Sequence, residues 1–271
     1  MRPPAIAAYR TLDRIMPAPA GPRVLANSMP KSGTHLLTSL LESLPKMRFA
    51  GQWVSYLGQD AVGEREEYEH FIRRLRLLRD SHYIGSHLTY DPAVERALSD
   101  AGVHMITVVR DPRSQVLSWA HYLLTTRHVP GRNWVTDRYP DMDALLPLLV
   151  RGTGVPGVYP YLPDVGERFR RYSAWSESDI GIEVRFEDLV GARGGGDDDR
   201  QEKTTHEILE YLGYARPGVV TRDVTDTMFS TNSATFRTGQ IDTWRQELPA
   251  DLADEIYDRC GPLTETWGYE R

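Results

Sequence analysis

The sequence predicts an α/β fold in three layers, with a mostly parallel central sheet flanked by helices. Two observations predict this fold class. Short apolar runs alternate along the chain with segments whose apolar residues recur at the 3.6-residue period of a helix. Strands that alternate with helices favour a parallel sheet with right-handed crossovers and helices on both faces. The apolar runs lie at residues 23–28, 83–88, 105–109 and 181–186.

Length and composition bound the organisation of the chain. Its 271 residues, 40% of them hydrophobic, suit one large domain. We expect residues 1–22 to form an N-terminal helix and a Pro/Ala/Gly connector, and residues 23–271 to form a single domain. The net charge of -6 argues against a nucleic-acid partner. A lone Cys260, the lack of a long apolar span and the lack of an apolar leader predict a cytoplasmic protein without a transmembrane segment.

The first half of the chain carries clear helix signals. Leucines at the helical period predict a helix over residues 34–44, which Pro45 ends. Residues 64–80 have the pattern of a charged amphipathic helix. After the third apolar run, Asp111 as N-cap and Pro112 at the first helical position predict the start of another helix.

The second half is less regular. Residues 127–165 are rich in Pro, Gly and aromatics and show little periodicity, and so long an irregular stretch is usually functional or mobile. We interpret it as an insertion that shapes a binding pocket. The Gly-Asp run at residues 194–199 is interpreted as a solvated loop rather than a cation site. Helices are predicted at about residues 201–213 and 249–260.

A Pro-Lys-Ser-Gly-Thr turn at residues 30–34 joins the first strand directly to a helix. This arrangement places backbone N–H groups and a lysine around a phosphate-like anion. The loop differs from the one that binds nucleoside triphosphates, because Lys31 precedes the glycine and Ala26 stands where the first glycine would be. Lys31 is one of three lysines among 32 basic residues. Its compact ammonium suits a single bridging oxygen better than a guanidinium would.

Two further segments have the residue types of an anion site. Arg110 follows a predicted strand, and Ser118 lies eight positions later, about 10 Å along a helix axis. The alternative is an arginine that caps its own turn. The segment from Arg237 to Gly239, followed by Trp244, could fold over a ligand with guanidinium and amide donors. Its alternative is an ordinary loop with a packed tryptophan.

Together these segments resemble the sulfotransferase family that uses 3′-phosphoadenosine 5′-phosphosulfate (PAPS). Residues 30–34 are similar to its 5′-phosphosulfate loop, and Arg110 to Ser118 to its 3′-phosphate motif. Arg237 to Trp244 is similar to its C-terminal loop. The resemblance covers about residues 23–250. It implies a P-loop NTPase-like fold and an enzyme that transfers a sulfuryl group from PAPS without a metal.

The resemblance also implies a role for each matched residue. Amides of residues 32–35 would hold the 5′-phosphosulfate, and Lys31 would neutralise the bridging oxygen as the S–O bond breaks. Phe186 would lie near the adenine. Thr225 or Thr227 would also contact the adenine, although its match to the family pattern is loose. The implied catalytic residues are His87, Lys31 and Ser118. The implied cofactor-binding residues are Lys31, Ser32, Gly33, Thr34, His35, Arg110, Ser118, Phe186, Arg237, Thr238 and Gly239.

The acceptor hydroxyl needs a base, and the resemblance points to a histidine between the first two motifs. His87 lies there, although its residue type alone does not separate it from His82 or His35. The sequence departs from the family pattern at Leu36, where a tryptophan is common, and at Gly85, where a lysine is usual. A third departure is Asp242 and Thr243, which disturb the glycine of the C-terminal loop. The arginine-rich composition and the compact N-terminus are more similar to bacterial members that modify small molecules.

The expected partner is a small-molecule or glycan acceptor with a hydroxyl group. Aromatic residues of the 127–165 segment favour a partly apolar or ring-containing acceptor; they are Trp134, Tyr139, Tyr159 and Tyr161. Whether the chain forms a homodimer stays open. One alternative is a phosphotransferase, for which Asp188 is the candidate Mg²⁺ ligand. The other is a non-catalytic nucleotide-binding relative.

Overall fold

The computed structural model describes residues 21–54, 64–126, 135–155, 158–215, 221–228 and 240–271. Five strands form a parallel sheet in the order β2-β3-β1-β4-β7, and two form an antiparallel hairpin. The sheet strands are β1 (Arg23–Ser28), β2 (Arg48–Val54), β3 (His82–Ser86), β4 (Val103–Val109) and β7 (Gly181–Arg185), and the hairpin strands are β5 (Thr153–Val155) and β6 (Val158–Leu162).

Helices cover the sheet on both faces. In chain order they are α1 (Thr34–Ser43), α2 (Glu64–Leu77), α3 (Pro92–Asp100), α4 (Pro112–Thr125), α5 (Met142–Arg151), α6 (Val165–Ser173), α7 (Phe186–Leu189), α8 (Asp198–Tyr211), α9 (Thr221–Met228), α10 (Trp244–Glu247), α11 (Ala250–Cys260) and α12 (Pro262–Thr266). The predicted start of α4 is confirmed, since Pro112 is its first residue and the Asp111 carboxylate accepts a hydrogen bond from the Arg113 amide at 2.8 Å. The predicted N-terminal helix falls on residues 1–20, outside the described residues.

The alternation of side chains along β1 explains the three layers. Val24 and Ala26 are fully buried against α1 and α8, whereas Leu25 is fully buried against α2 and α3 on the opposite face. A strand buried on both faces belongs at the centre of a sheet between two helical layers. The predicted three-layer α/β fold is therefore confirmed.

Part of the stretch predicted to be irregular is regular. Within residues 127–165 the structure has α5 and the β5–β6 hairpin. Leu145 and Leu149 are buried in the cluster that joins α4, α6 and α11. Their i, i+4 spacing outweighs the helix-disfavouring Pro147, because packing of an apolar face contributes more than local propensity. The role of this segment in shaping a pocket stays a prediction.

The acidic run at residues 194–199 is also more ordered than predicted. Asp197 caps α8 by accepting a hydrogen bond from the Arg200 amide at 2.8 Å. Asp198 accepts one from the Ala192 amide at 2.7 Å. These aspartates therefore accept hydrogen bonds from backbone amides at and near the start of α8, as expected of acidic residues at a helix N-terminus.

Among the described helices, none is both long and apolar enough to cross a membrane.

Candidate active site

The anion loop turns sharply between β1 and α1. Lys31 and Gly33 both have left-handed backbone conformations, with φ of 70° and 103°. Gly33 is the N-cap of α1 and has no side chain that could cap the helix. The Ser32 hydroxyl oxygen is buried without a hydrogen-bond partner among the described residues. An uncapped helix N-terminus with an unsatisfied buried hydroxyl has the donors that an anion requires.

Arg110 ties the loop to two other motifs. Its guanidinium is almost fully buried and donates hydrogen bonds to the backbone carbonyls of Lys31 and Gln240, each at 3.1 Å. It also lies 4.2 Å from the centroid of the Phe186 ring. Phe186 in turn packs so closely on Gly33 that a Cβ there would overlap its ring. Three features predicted from separate parts of the sequence thus meet at the carboxyl ends of β1, β4 and β7: the anion loop, Arg110 and Phe186.

Not every predicted cofactor residue enters these contacts. Ser118 is half-buried on α4. Arg237 to Gly239 lie outside the described residues, but Gln240 directly follows them and accepts a bond from Arg110. The described end of the C-terminal motif therefore reaches Arg110, which also bonds to the anion loop. Gln115, which sequence reasoning missed, fixes the loop by donating to the Pro30 carbonyl at 2.7 Å.

Lys31 lies in a half-buried position beside an aromatic ring. Its ammonium nitrogen is 4.6 Å from the centroid of the Tyr122 ring. Burial and then the positive charge of Arg110 lower the pKa of Lys31 to about 8. Tyr122 was not identified from the sequence, although it is four positions after Ser118 and so shares its helix face.

The hydrogen bonds of His87 decide its tautomer. Its Nδ1 lies 2.8 Å from the backbone carbonyl oxygen of Ser28, which can only accept, so Nδ1 carries the proton. Nε2 is then left with a lone pair. Burial lowers the pKa of His87; the bond to Ser28 opposes this, and the charges of His35 and Lys31 add to the lowering. The imidazole is therefore neutral near pH 7 and able to accept a proton at Nε2.

Asn27 bonds to the residues on both sides of His87, and sequence reasoning missed it. It is fully buried at the end of β1, where its Oδ1 accepts from the Ser86 hydroxyl at 2.9 Å and the Leu88 amide at 2.8 Å. Its Nδ2 donates to the Leu88 carbonyl at 3.1 Å. A buried amide held by three hydrogen bonds favours a single local geometry. A polar residue inside an otherwise apolar strand is the signal that points to it.

The candidate Mg²⁺ ligand of the phosphotransferase alternative lies in a different environment. Asp188 is 3.8 Å from Arg185 Nε and 3.7 Å from Arg200 Nη1. It lines a cavity of about 390 Å³ whose lining residues include neither Lys31 nor His87. Among the residues that the structure describes, no cluster of three or more His, Cys, Asp or Glu side chains could hold a metal ion.

No protein-family model matches the sequence, and no curated protein matches it. Solved structures, in contrast, match the fold of this chain. Mouse sulfotransferase SULT7A1 complexed with PAP has a TM-score of 0.60 at 16% identity, over 92% of this chain and 86% of that one. Retinol dehydratase in complex with androsterone and the inactive cofactor PAP has a TM-score of 0.54 at 15% identity, over 92% of this chain and 82% of that one. The chain has the sulfotransferase fold.

A putative steroid sulphotransferase from Arabidopsis thaliana also shares the sulfotransferase fold, with a TM-score of 0.51 at 15% identity over 99% of this chain and 85% of that one. At such identities the likeness concerns the fold. The fold implied by the resemblance of the three sequence motifs is therefore confirmed. The roles of individual residues rest on the geometry of this chain.

Proposed function

We propose that the protein is a PAPS-dependent sulfotransferase that transfers a sulfuryl group to a hydroxyl of a small-molecule or glycan acceptor. One observation carries the proposal. In a sulfotransferase fold, Lys31, Arg110 and His87 converge at the carboxyl ends of three adjacent parallel strands, where open α/β sheets bind their ligands.

The residues of the loop fit a phosphosulfate. The Ser32 hydroxyl, which has no partner within the described part of the chain, and the start of α1 supply donors, and Lys31 supplies a positive charge close to them. Arg110 and Ser118 would hold the 3′-phosphate, together with Arg237 to Gly239. Phe186 would lie beside the adenine. When bound, PAPS supplies an activated sulfuryl group on a phosphate leaving group.

The chain's own residues then account for proton and charge movement. His87 Nε2 accepts the proton of the acceptor hydroxyl as its oxygen forms a bond to sulfur. Lys31 stabilises the negative charge on the bridging oxygen as the S–O bond breaks on the opposite side. The proposed reaction therefore requires a pH at which His87 is neutral while Lys31 is still protonated.

The first test is a thermal-shift measurement with 3′,5′-adenosine bisphosphate in the presence of a chelator. At a ligand concentration about 100 times Kd, we expect a stabilisation of about 2.7 kcal/mol. This corresponds to a rise in Tm of roughly 5–10 °C for a chain of this size. Arg110→Ala should weaken binding by calorimetry, whereas exposed Arg96→Ala should not. Stabilisation only by Mg²⁺–ATP would favour the phosphotransferase instead.

A second test identifies the transferred group. The protein is incubated with PAPS and a panel of hydroxylated compounds, and products with an added SO₃ are sought by mass spectrometry. A protein that binds the bisphosphate but sulfates no compound under any condition would support the non-catalytic alternative.

The pH dependence of kcat/KM should be bell-shaped. The acid limb requires neutral His87, whose pKa is lowered, so activity should persist below the ordinary histidine value of 6.5 and then fall. The alkaline limb requires charged Lys31, so activity should fall as pH rises through about 8. In Lys31→Arg the remaining activity should lose the alkaline limb, since a guanidinium stays charged. An unchanged alkaline limb in that variant would assign it to another group.

A further inference from the structure

Trp53 lies across β3 directly beside the candidate base. Its strand β2 is irregular between Phe49 and Trp53, where Gly51 has a left-handed φ of 71°. After this irregularity, Trp53 pairs in register with Gly85 of the neighbouring strand. A bulge of this kind redirects the side chain that follows it. The indole therefore lies over Gly85, where β3 has no side chain.

Gly85 makes this placement sterically possible. A Cβ at position 85 would overlap the six-membered part of the Trp53 ring. His87 directly follows β3, two positions after Gly85, so the alternation of side chains places both residues on one face and the indole that covers Gly85 also reaches His87. The two rings meet edge to face, with centroids 5.4 Å apart and planes at 70°.

On its other side, Trp53 contacts the start of α1. The ring of His35 is nearly parallel to the indole, at 22°, with centroids 6.1 Å apart. His35, Trp53 and His87 thus form a continuous wall of three flat rings from the anion loop to the candidate base. Trp53 remains 38% exposed. A large aromatic surface left open next to a reacting group is typical of a ligand-binding wall.

We infer that Trp53 orients the acceptor against His87, that glycine at position 85 serves to admit the Trp53 ring, and that the acceptor carries its hydroxyl on a planar ring. The inference rests on the proposed function. Stacking of a planar ring on the open part of the indole would hold it in one orientation, with its hydroxyl directed to Nε2 of His87. A flexible chain or a non-planar sugar ring would gain less from the same wall.

The acceptor test uses 2-naphthol as the planar probe and methyl glucoside as the sugar probe, with PAPS as donor. We expect wild type to favour 2-naphthol. Trp53→Ala should raise the KM for 2-naphthol about tenfold or more, in line with the loss of a buried aromatic contact. Trp53→Phe should recover most of the loss. The Kd for 3′,5′-adenosine bisphosphate should stay the same in all three proteins.

The matched control is Phe49→Ala. Phe49 is on the same strand and is similarly exposed, at 43%, but it packs on Tyr83 with ring centroids 5.3 Å apart. This variant should leave the KM for 2-naphthol unchanged. Equal effects of Phe49→Ala and Trp53→Ala would indicate general loosening of β2 and would overturn the orienting role.

The pairing of the two positions is tested by a double-mutant cycle. Gly85→Lys should lower kcat/KM for 2-naphthol strongly, because its side chain and the indole compete for one space. Adding Trp53→Ala should recover part of that loss, so that the two effects are non-additive. Additive losses would overturn the proposed pairing, and a preference for methyl glucoside would overturn the planar acceptor. If wild type fails to bind the bisphosphate at all, the proposed function fails instead.

Discussion

Lys31→Ala should lower kcat by about 10²–10³-fold, the usual loss when one charge-stabilising group is removed from an active site. The ammonium of Lys31 would act on the leaving oxygen, where negative charge develops only as the S–O bond breaks. KM for PAPS should therefore change less than kcat. Single-turnover measurement of sulfuryl transfer separates the two quantities.

The chain contains a close control for this variant. Lys46 is also in a loop and also has a left-handed backbone, with φ of 64° against 70° for Lys31. Lys46→Ala thus removes a lysine from the same backbone conformation away from the anion loop, and its kcat should match wild type. Both variants should unfold at similar temperatures. Comparable loss of kcat in the two would mean that backbone strain, rather than the charge of Lys31, causes the effect.

His87→Asn should lower kcat by about 10²–10⁴-fold, the range for loss of a general base. An asparagine amide can still donate a hydrogen bond to the Ser28 carbonyl, which Nδ1 of His87 contacts at 2.8 Å. The local backbone should therefore be preserved while the proton acceptor is lost. Calorimetry should show unchanged affinity for 3′,5′-adenosine bisphosphate, which places the defect in the chemical step.

His82→Asn provides the comparison. His82 is the first residue of β3, five positions before His87, and its Nδ1 is also near a backbone oxygen, that of Asp80 at 3.0 Å. It is at the opposite end of β3 from the anion loop, so its replacement should leave kcat near the wild-type value. If His87→Asn retained full activity, the base would have to be another group, with His35 the first to examine because its ring stacks on Trp53.

Local sequence was sufficient for most elements because their causes are local. The apolar run of β1 and the leucine period of α1 each lie within about ten residues, and Asp111 caps the helix that begins at the next residue. The prediction was wrong where two local signals competed. In α5, proline and the nearby aromatics favoured a loop, but burial of Leu145 and Leu149 in the core outweighed them.

The sequence by itself determined the fold class, the anion loop and the set of candidate residues, since these depend on periodicity and short motifs. The choice of His87 among three histidines came from the family resemblance, and the tertiary structure supplied the contacts that hold its ring. The proton of His87 is placed by Ser28, which is 59 positions away in the chain. Asn27 of the neighbouring strand β1 bonds to the amide of Leu88, the residue after His87. Trp53 of β2 covers Gly85 of β3. Such contacts arise from strand pairing and side-chain packing between distant segments, which no local pattern encodes.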